Sequence, residues 1–244
     1  MAPKVVYIIP YRDRETHKDF FLRHMKYVLE DVPEEDYEIY FVHQRDKQPF
    51  NRGAMRNIGF LAMKEKYRND YLKMTFVFND VDCMPFNKGQ LQYETTQGNV
   101  KHFYGFYFAL GGVVSITGKD FETVNGYPNF WAWGWEDNEL QRRVSQSNLH
   151  IDRSNFYEIL SKEFIHMHHG TFREVNHLEK KRYNHRTQEG IKNITLKKYT
   201  IENHMIQVDE FSTGTAPNPN QNSIKLLGLP EPKKQPMKMA LTLK

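Results

Sequence analysis

The chain has 244 residues, 39% hydrophobic and 14% aromatic, with a formal net charge of +4, enough for one domain with a buried core or a domain with an extension. Its apolar runs stop at about five residues, far short of the roughly 20 that a membrane span needs. A single cysteine, Cys83, excludes an intramolecular disulfide. Mild basicity fits a phosphate-bearing ligand, whereas the lysines and arginines form no stripe of the kind nucleic acid requires. Val5–Ile9 is an apolar, largely β-branched run closed by a proline, and it predicts a buried strand. Thr16 with Asp19 resembles a capping box, and Phe21, Met25, Val28 and Leu29 follow at helical spacing. Tyr37–Val42 reads as a second strand. Gly53–Tyr67, with Met55, Ile58 and Ala62 on one face, reads as a second helix. Thr75–Phe78 is a third strand, running into Asn79-Asp80-Val81-Asp82.

This alternation predicts an α/β domain with a mainly parallel sheet. Ligands in such sheets sit beyond the carboxyl ends of the strands, here at Tyr11–Arg14 and Asp80–Asp82. Further along, Val113–Thr117 reads as a strand, Asp120–Val124 as a short helix and Trp131–Trp135 as a glycine- and aromatic-rich loop. Glu136–Val144 reads as a helix, Ile165–Gly170 as a histidine-rich segment and Ile194–Val208 as a terminal hairpin. From Thr213 onward Pro217, Pro219, Pro230, Pro232 and Pro236 mix with lysines, which predicts a tail without a core. The expected division is therefore 1–212 and 213–244.

Several clusters carry chemistry. Asp80 and Asp82 at i and i+2 can face one hard cation whose shell a diphosphate completes, or form a solvated turn. His166 and His168 on an extended chain point to one face and can share a metal. With a carboxylate they suit Mn, Fe or Zn. In Trp131–Asp137, aromatic rings precede Glu136 and Asp137 at a helix start. There a carboxylate can take a proton from a hydroxyl and the helix terminus favours its ionised form; a packed corner is the other reading. Pro10-Tyr11-Arg12-Asp13-Arg14 and Phe50-Asn51-Arg52 each place a ring beside arginine, suited to a base and a phosphate or to a surface ion pair. Gly111-Gly112 allows either close approach of a ligand or a tight turn.

Taken in order, these stretches resemble the β-1,4-galactosyltransferase family, glycosyltransferase family 7. Asn57-Ile58-Gly59-Phe60, Gly111-Gly112-Val113 and Asn125-Gly126-Tyr127-Pro128-Asn129 keep the same register. The match runs from residue 5 to 170 and more faintly to 210. The resemblance implies a GT-A fold, a Rossmann-like mainly parallel twisted sheet flanked by helices, with a C-terminal β-hairpin. It implies inverting, metal-dependent transfer of galactose from UDP-Gal to a sugar hydroxyl. Pro10, Tyr11, Arg12, Arg14, Phe50, Arg52, Asp80, Val81, Gly111 and Gly112 would bind the donor. Asp82 would ligate Mn²⁺ with His166 and His168, the arrangement of the proteoglycan-linker (xylosylprotein) type, or with His169 in place of His168. Trp133 would touch both sugars, Glu136 would face the acceptor, and Asp137 would be the base. Ala132 and Trp135 replace family glycines. Ala109 replaces an aromatic that screens the donor's 2-substituent, which leaves room for UDP-GalNAc. A chondroitin-type N-acetylgalactosaminyltransferase, which shares the Gly-Gly-Val, Asn-Gly-Tyr and Trp-Gly-Trp-Glu-Asp features, is the alternative. A glycan-binding protein without catalysis is a minor one. The partners implied are a UDP-sugar and a glycan acceptor, with no nucleic acid. With no leader, anchor or disulfide in view, a cytoplasmic setting is expected, or the Golgi lumen if the sequence is a trimmed part.

Overall fold

The computed structural model describes residues 2–168, 172–217 and 223–227; His169 lies outside them. Strand β1 (Val5–Tyr11) is buried along its whole length. It pairs in parallel with β2 (Tyr37–Gln44) and with β3 (Thr75–Asn79). Its even residues, such as Val6 and Ile8, pack into one core. Its odd residues Val5, Tyr7, Ile9 and Tyr11 pack into the other. A strand covered on both faces reads as an unbroken apolar run, which is why its sequence showed no alternation. The strand continues past the proline expected to close it. β3 pairs only with Val5–Ile8, so Pro10 has a single strand neighbour and its missing N–H is tolerated there.

Helices α1 (Glu15–Val28) and α2 (Arg52–Lys66) make the crossovers. The capping box expected at Thr16 is not formed. Asp13, at φ 52°, turns the chain early, so Arg14 is the N-cap, without a side-chain hydrogen bond, and Thr16 falls in the first turn. Helix α2 does have a side-chain cap: Asn51 Oδ1 accepts from the Ala54 N–H at 2.8 Å. Gly59 lets α2 lie close to the sheet, because a Cβ there would stand 2.6 Å from Ile8 Cγ2 and 2.7 Å from Val42 Cγ2.

The second half adds β4 (Cys83–Pro85), β5 (Asn99–Gly105), β6 (Val113–Thr117), α3 (Gly118–Thr123) and α4 (Glu136–Gln146). Short strands β7 (His150–Asp152), β8 (Tyr157–Glu158) and β9 (Phe164–His166) follow. Next come β10 (Phe172–Asn176), α5 (His177–Asn184), β11 (Leu196–Glu202), β12 (Met205–Ser212) and β13 (Ser223–Leu227). The main sheet runs β11-β12-β2-β1-β3-β6-β5-β7, with β8 also on β5. The β12-β2-β1-β3 block is parallel, and β6 lies antiparallel between β3 and β5. The expected terminal hairpin is β11–β12, and its second strand docks in parallel on β2.

Part of the stretch read as a tail is engaged with the rest. Thr213 is buried, the Thr215 carbonyl accepts from Trp131 Nε1 at 2.8 Å, and β13 pairs antiparallel with β10. Among the described residues no helix is long and apolar enough to cross a membrane.

Candidate active site

The carboxyl ends of β1 and β3, the start of α2, the turn before β6 and the start of α4 surround a cavity of about 760 Å³. Pro10, Arg12, Arg14, Phe50, Arg52, Asp80, Val81, Asp82, Gly111, Gly112, Trp133, Glu136, Asp137 and His166 all line it. Tyr11 does not. It falls on the odd face of β1, edge-on to Phe41 and His43 at 6.0 and 5.1 Å, so it builds core where the sequence suggested a base-stacking ring. Arg12 turns toward the end of β2 and the loop that follows it. It donates to the Gln44, Asp46 and Gln48 carbonyls and to Asp46 Oδ1, with its guanidinium carbon 5.5 Å from the Phe50 ring centroid. Burial lowers its pKa, against the pull of Asp46.

The floor of the site is an ionic lattice. Arg52 donates to Asp80 Oδ1 at 2.6 Å and to Glu136 Oε1 at 2.8 Å. Arg56, one helical turn on, donates to the same Asp80 oxygen at 2.7 Å and to Asp137 Oδ1 at 2.6 Å. Arg56 is 0% exposed, with its guanidinium 4.5 Å from the Tyr127 ring centroid. Two guanidiniums thus face three carboxylates. Burial disfavours the charge on Arg52, but Asp80, Glu136 and Asp137 outweigh it and hold the group above its ordinary range. Glu136 is pushed up by burial, with Arg52 opposing. The sequence reading missed Arg56. Its signal was the i, i+4 spacing from Arg52, which puts both on one face of α2.

Glu136 and Asp137 divide the work at the start of α4. Glu136, 2% exposed, binds Arg52 and accepts from the Gly134 N–H at 3.1 Å, so it braces the loop before it. Asp137 packs against Gly111, where a Cβ would stand 2.4 Å from its Oδ2. Gly111 therefore gives way to a carboxylate of its own chain. Gly112, at φ +69°, turns tightly against the Tyr104 carbonyl. Ala132 and Trp135, at φ 73° and 66°, occupy the left-handed region that favours glycine, so the loop keeps a glycine-type path with ordinary residues in it.

β4 pairs with β9 so that Cys83 faces His166, and the Met167 N–H donates to the Asp82 carbonyl at 2.7 Å. This brings Asp82 and His166 onto one cavity. His166 Nδ1 lies 3.0 Å from the Tyr104 hydroxyl, whose oxygen also accepts from the Leu160 N–H. That contact can orient the ring with Nε2 available as a ligand. His168 is exposed and off the lining. Its backbone meets the His17 ring, which also feels the Asp82 charge. Among the described residues no three of His, Cys, Asp and Glu come together as a metal site. Asp82 and His166, both on the cavity, are side chains of the type that could hold a divalent ion.

The surroundings of the glycine turn are fixed from below. His102 on β5 is buried, with Nε2 3.1 Å from the Gly111 carbonyl and 3.2 Å from that of Tyr104. Its Nδ1 accepts from Arg153 Nε at 3.0 Å. Burial, reinforced by Arg153, pushes its pKa down to about 4.

Residues 1–94 match the model of the N-terminal region of glycosyl transferase group 7. Residues 91–170 match that of the N-terminal domain of galactosyltransferase. The chain is 35% identical over 166 residues to β-1,4-galactosyltransferase 4 of Cricetulus griseus, covering 62% of this chain and 45% of that protein. It is 33% identical over 165 residues to β-1,4-galactosyltransferase 1 of Bos taurus, covering 62% and 39%. The match thus spans less than half the length of these relatives. The catalytic domain of Drosophila β-1,4-galactosyltransferase 7, solved with xylobiose, superposes with a TM-score of 0.68 at 21% identity, covering 88% of this chain and 96% of that one. A mutant of the same enzyme, solved with manganese, UDP-Gal and xylobiose, gives 0.67 at 20% identity with the same coverage. The fold is GT-A, and with the two models together spanning residues 1–170, the chain belongs to the glycosyltransferase group 7 family of β-1,4-galactosyltransferases.

Proposed function

We propose that the chain transfers galactose from UDP-Gal to a sugar hydroxyl with inversion at the anomeric carbon. The observation that carries this is Asp137, placed at a helix N-terminus, on a cavity shared with Asp82, His166 and Phe50. Asp137 accepts the proton of the acceptor hydroxyl. That oxygen forms the new bond to the anomeric carbon while the bond to the diphosphate oxygen breaks and UDP leaves with the electron pair. Phe50, backed by Arg12, offers a face to the base. Mn²⁺, when bound by Asp82, His166 and a second histidine, His168 or His169, would neutralise charge on the leaving diphosphate. Trp133 lines the cavity, and closure of its loop would exclude water.

Ala109 supports a second donor. It is nearly buried on the cavity wall, and its methyl group leaves space where an N-acetyl substituent would lie. A cytoplasmic setting suits Cys83, a buried free thiol. UDP release from UDP-Gal and UDP-GalNAc, with Mn²⁺ or EDTA and with xylose or N-acetylglucosamine as acceptor, tests the reading. Turnover should need Mn²⁺, and Asp137→Asn should lower kcat by about 10²–10⁴-fold while UDP still binds. No UDP release from either donor in any combination would sink it.

A further inference from the structure

The loop that carries Trp133 is held at both ends. At its far end Glu136 and Asp137 are fixed by Arg52 and Arg56. At its near end Trp131 is buried. Its indole N–H donates to the Thr215 carbonyl and its ring stacks on Phe211 at 5.5 Å and 26°. The Thr215 hydroxyl in turn donates to one Glu189 oxygen, and Arg182 of α5 donates to the other. Arg182 also lies over the ring of Phe130, the residue just before Trp131, at 5.2 Å. Between the two anchors, Ala132, Gly134 and Trp135 have φ of 73°, 116° and 66°, and a Cβ on Gly134 would meet nothing within 4 Å.

We propose that Thr215 and Glu189 are positioning residues for the tryptophan loop, holding Trp131 as a fixed stem so that movement on substrate binding is confined to residues 132–135. The stretch just past the terminal hairpin is then part of the transfer machinery. This rests on the transferase reading, in which Trp133 meets both sugars. A clamped stem limits the conformations the loop must lose on closing, which is a preorganisation effect.

The chain has three tryptophans, and all lie within 131–135, so tryptophan emission reports this loop alone. The test uses the full chain with Thr215→Val, Glu189→Gln, Trp131→Phe and the Trp131→Phe/Thr215→Val double variant. Thr215→Val and Glu189→Gln should raise acrylamide quenching of the native protein. Each should lower kcat for transfer about tenfold, the scale of one lost hydrogen bond, and raise the share of donor lost to hydrolysis. The double variant should lose no more than its worse single parent, because the two changes break successive links of one chain from Trp131 through Thr215 to Glu189. Quenching unchanged in both Thr215→Val and Glu189→Gln, or a multiplicative loss in the double variant, overturns the proposal. A native chain that releases no UDP sinks the transferase reading instead, and the quenching comparison still decides the clamp.

Discussion

A guanidinium shut away from water needs acceptors for its N–H groups and a counter-charge, and Arg56 holds two carboxylates, Asp80 and Asp137, while its face lies on Tyr127. Arg56→Leu should therefore destabilise the fold by roughly 3–5 kcal/mol, the range for breaking a buried ion pair on one side, as read by urea unfolding. A loss under 1 kcal/mol would show the carboxylates to be satisfied without it. His102 gives a pH dependence. Its folded-state pKa of about 4 lies below its ordinary 6.5, because the neutral ring is the form that fits between Arg153 and two carbonyls. Its contribution, roughly 3 kcal/mol at most, is complete above pH 6.5 and is lost as pH falls toward 4. The thermal midpoint should drop between pH 7 and 4.5, and His102→Gln should flatten that drop; an equal slope in the variant would remove His102 as its source. Legibility at this scale followed residue type. Asp80 and Asp82 announced themselves because they follow a strand end, and Glu136 and Asp137 because they open a helix after a run of rings. Arg56 and His102 did not, because a lone polar side chain inside a helix or strand reads as solvated surface until a partner from a distant segment is known.

At the scale of elements, β1, β2 and β3 were legible as apolar runs and α1, α2 and α4 in helical spacing, and the errors were at the ends: Pro10 inside β1 and Thr16 inside α1. Strand β5 was not read at all. Lys101 and His102 interrupt its apolar pattern, although His102 is buried by pairing with Arg153. Short strands β4 and β9 were invisible because three residues carry no period, yet their pairing is what brings His166 to Asp82. Helix α2 carries the most consequence for function. Its N-terminal half holds both site arginines and its middle rests on Ile8 and Val42 through Gly59. Gly59→Ala should lift the helix by several tenths of an ångström and misplace Arg52 and Arg56. The expected result is a destabilisation of about 1–3 kcal/mol with a fall in kcat larger than the change in KM, measured on the folded fraction. Unchanged kcat would show that the helix repacks without moving its arginines.

For the whole molecule, the α/β class and the sheet's parallel block followed from strand–helix alternation, because each such unit is local in sequence. The antiparallel half and the fate of the residues after Ser212 did not, since both depend on partners far along the chain. The docking of β12 on β2 has a temporal side. On a ribosome, β1, β2 and β3 are all made before the chain reaches Asp80, but β2 waits for its outer neighbour until Met205 and beyond. At about 5–20 residues per second, the roughly 160 intervening residues take some 8–30 s. Throughout that interval the backbone of Phe41–Gln44 is an open parallel edge, a template for pairing with any nearby strand. Nascent chains that stall or are cut before the final hairpin therefore leave behind a partly folded α/β core with a sticky margin, a candidate for chaperone capture.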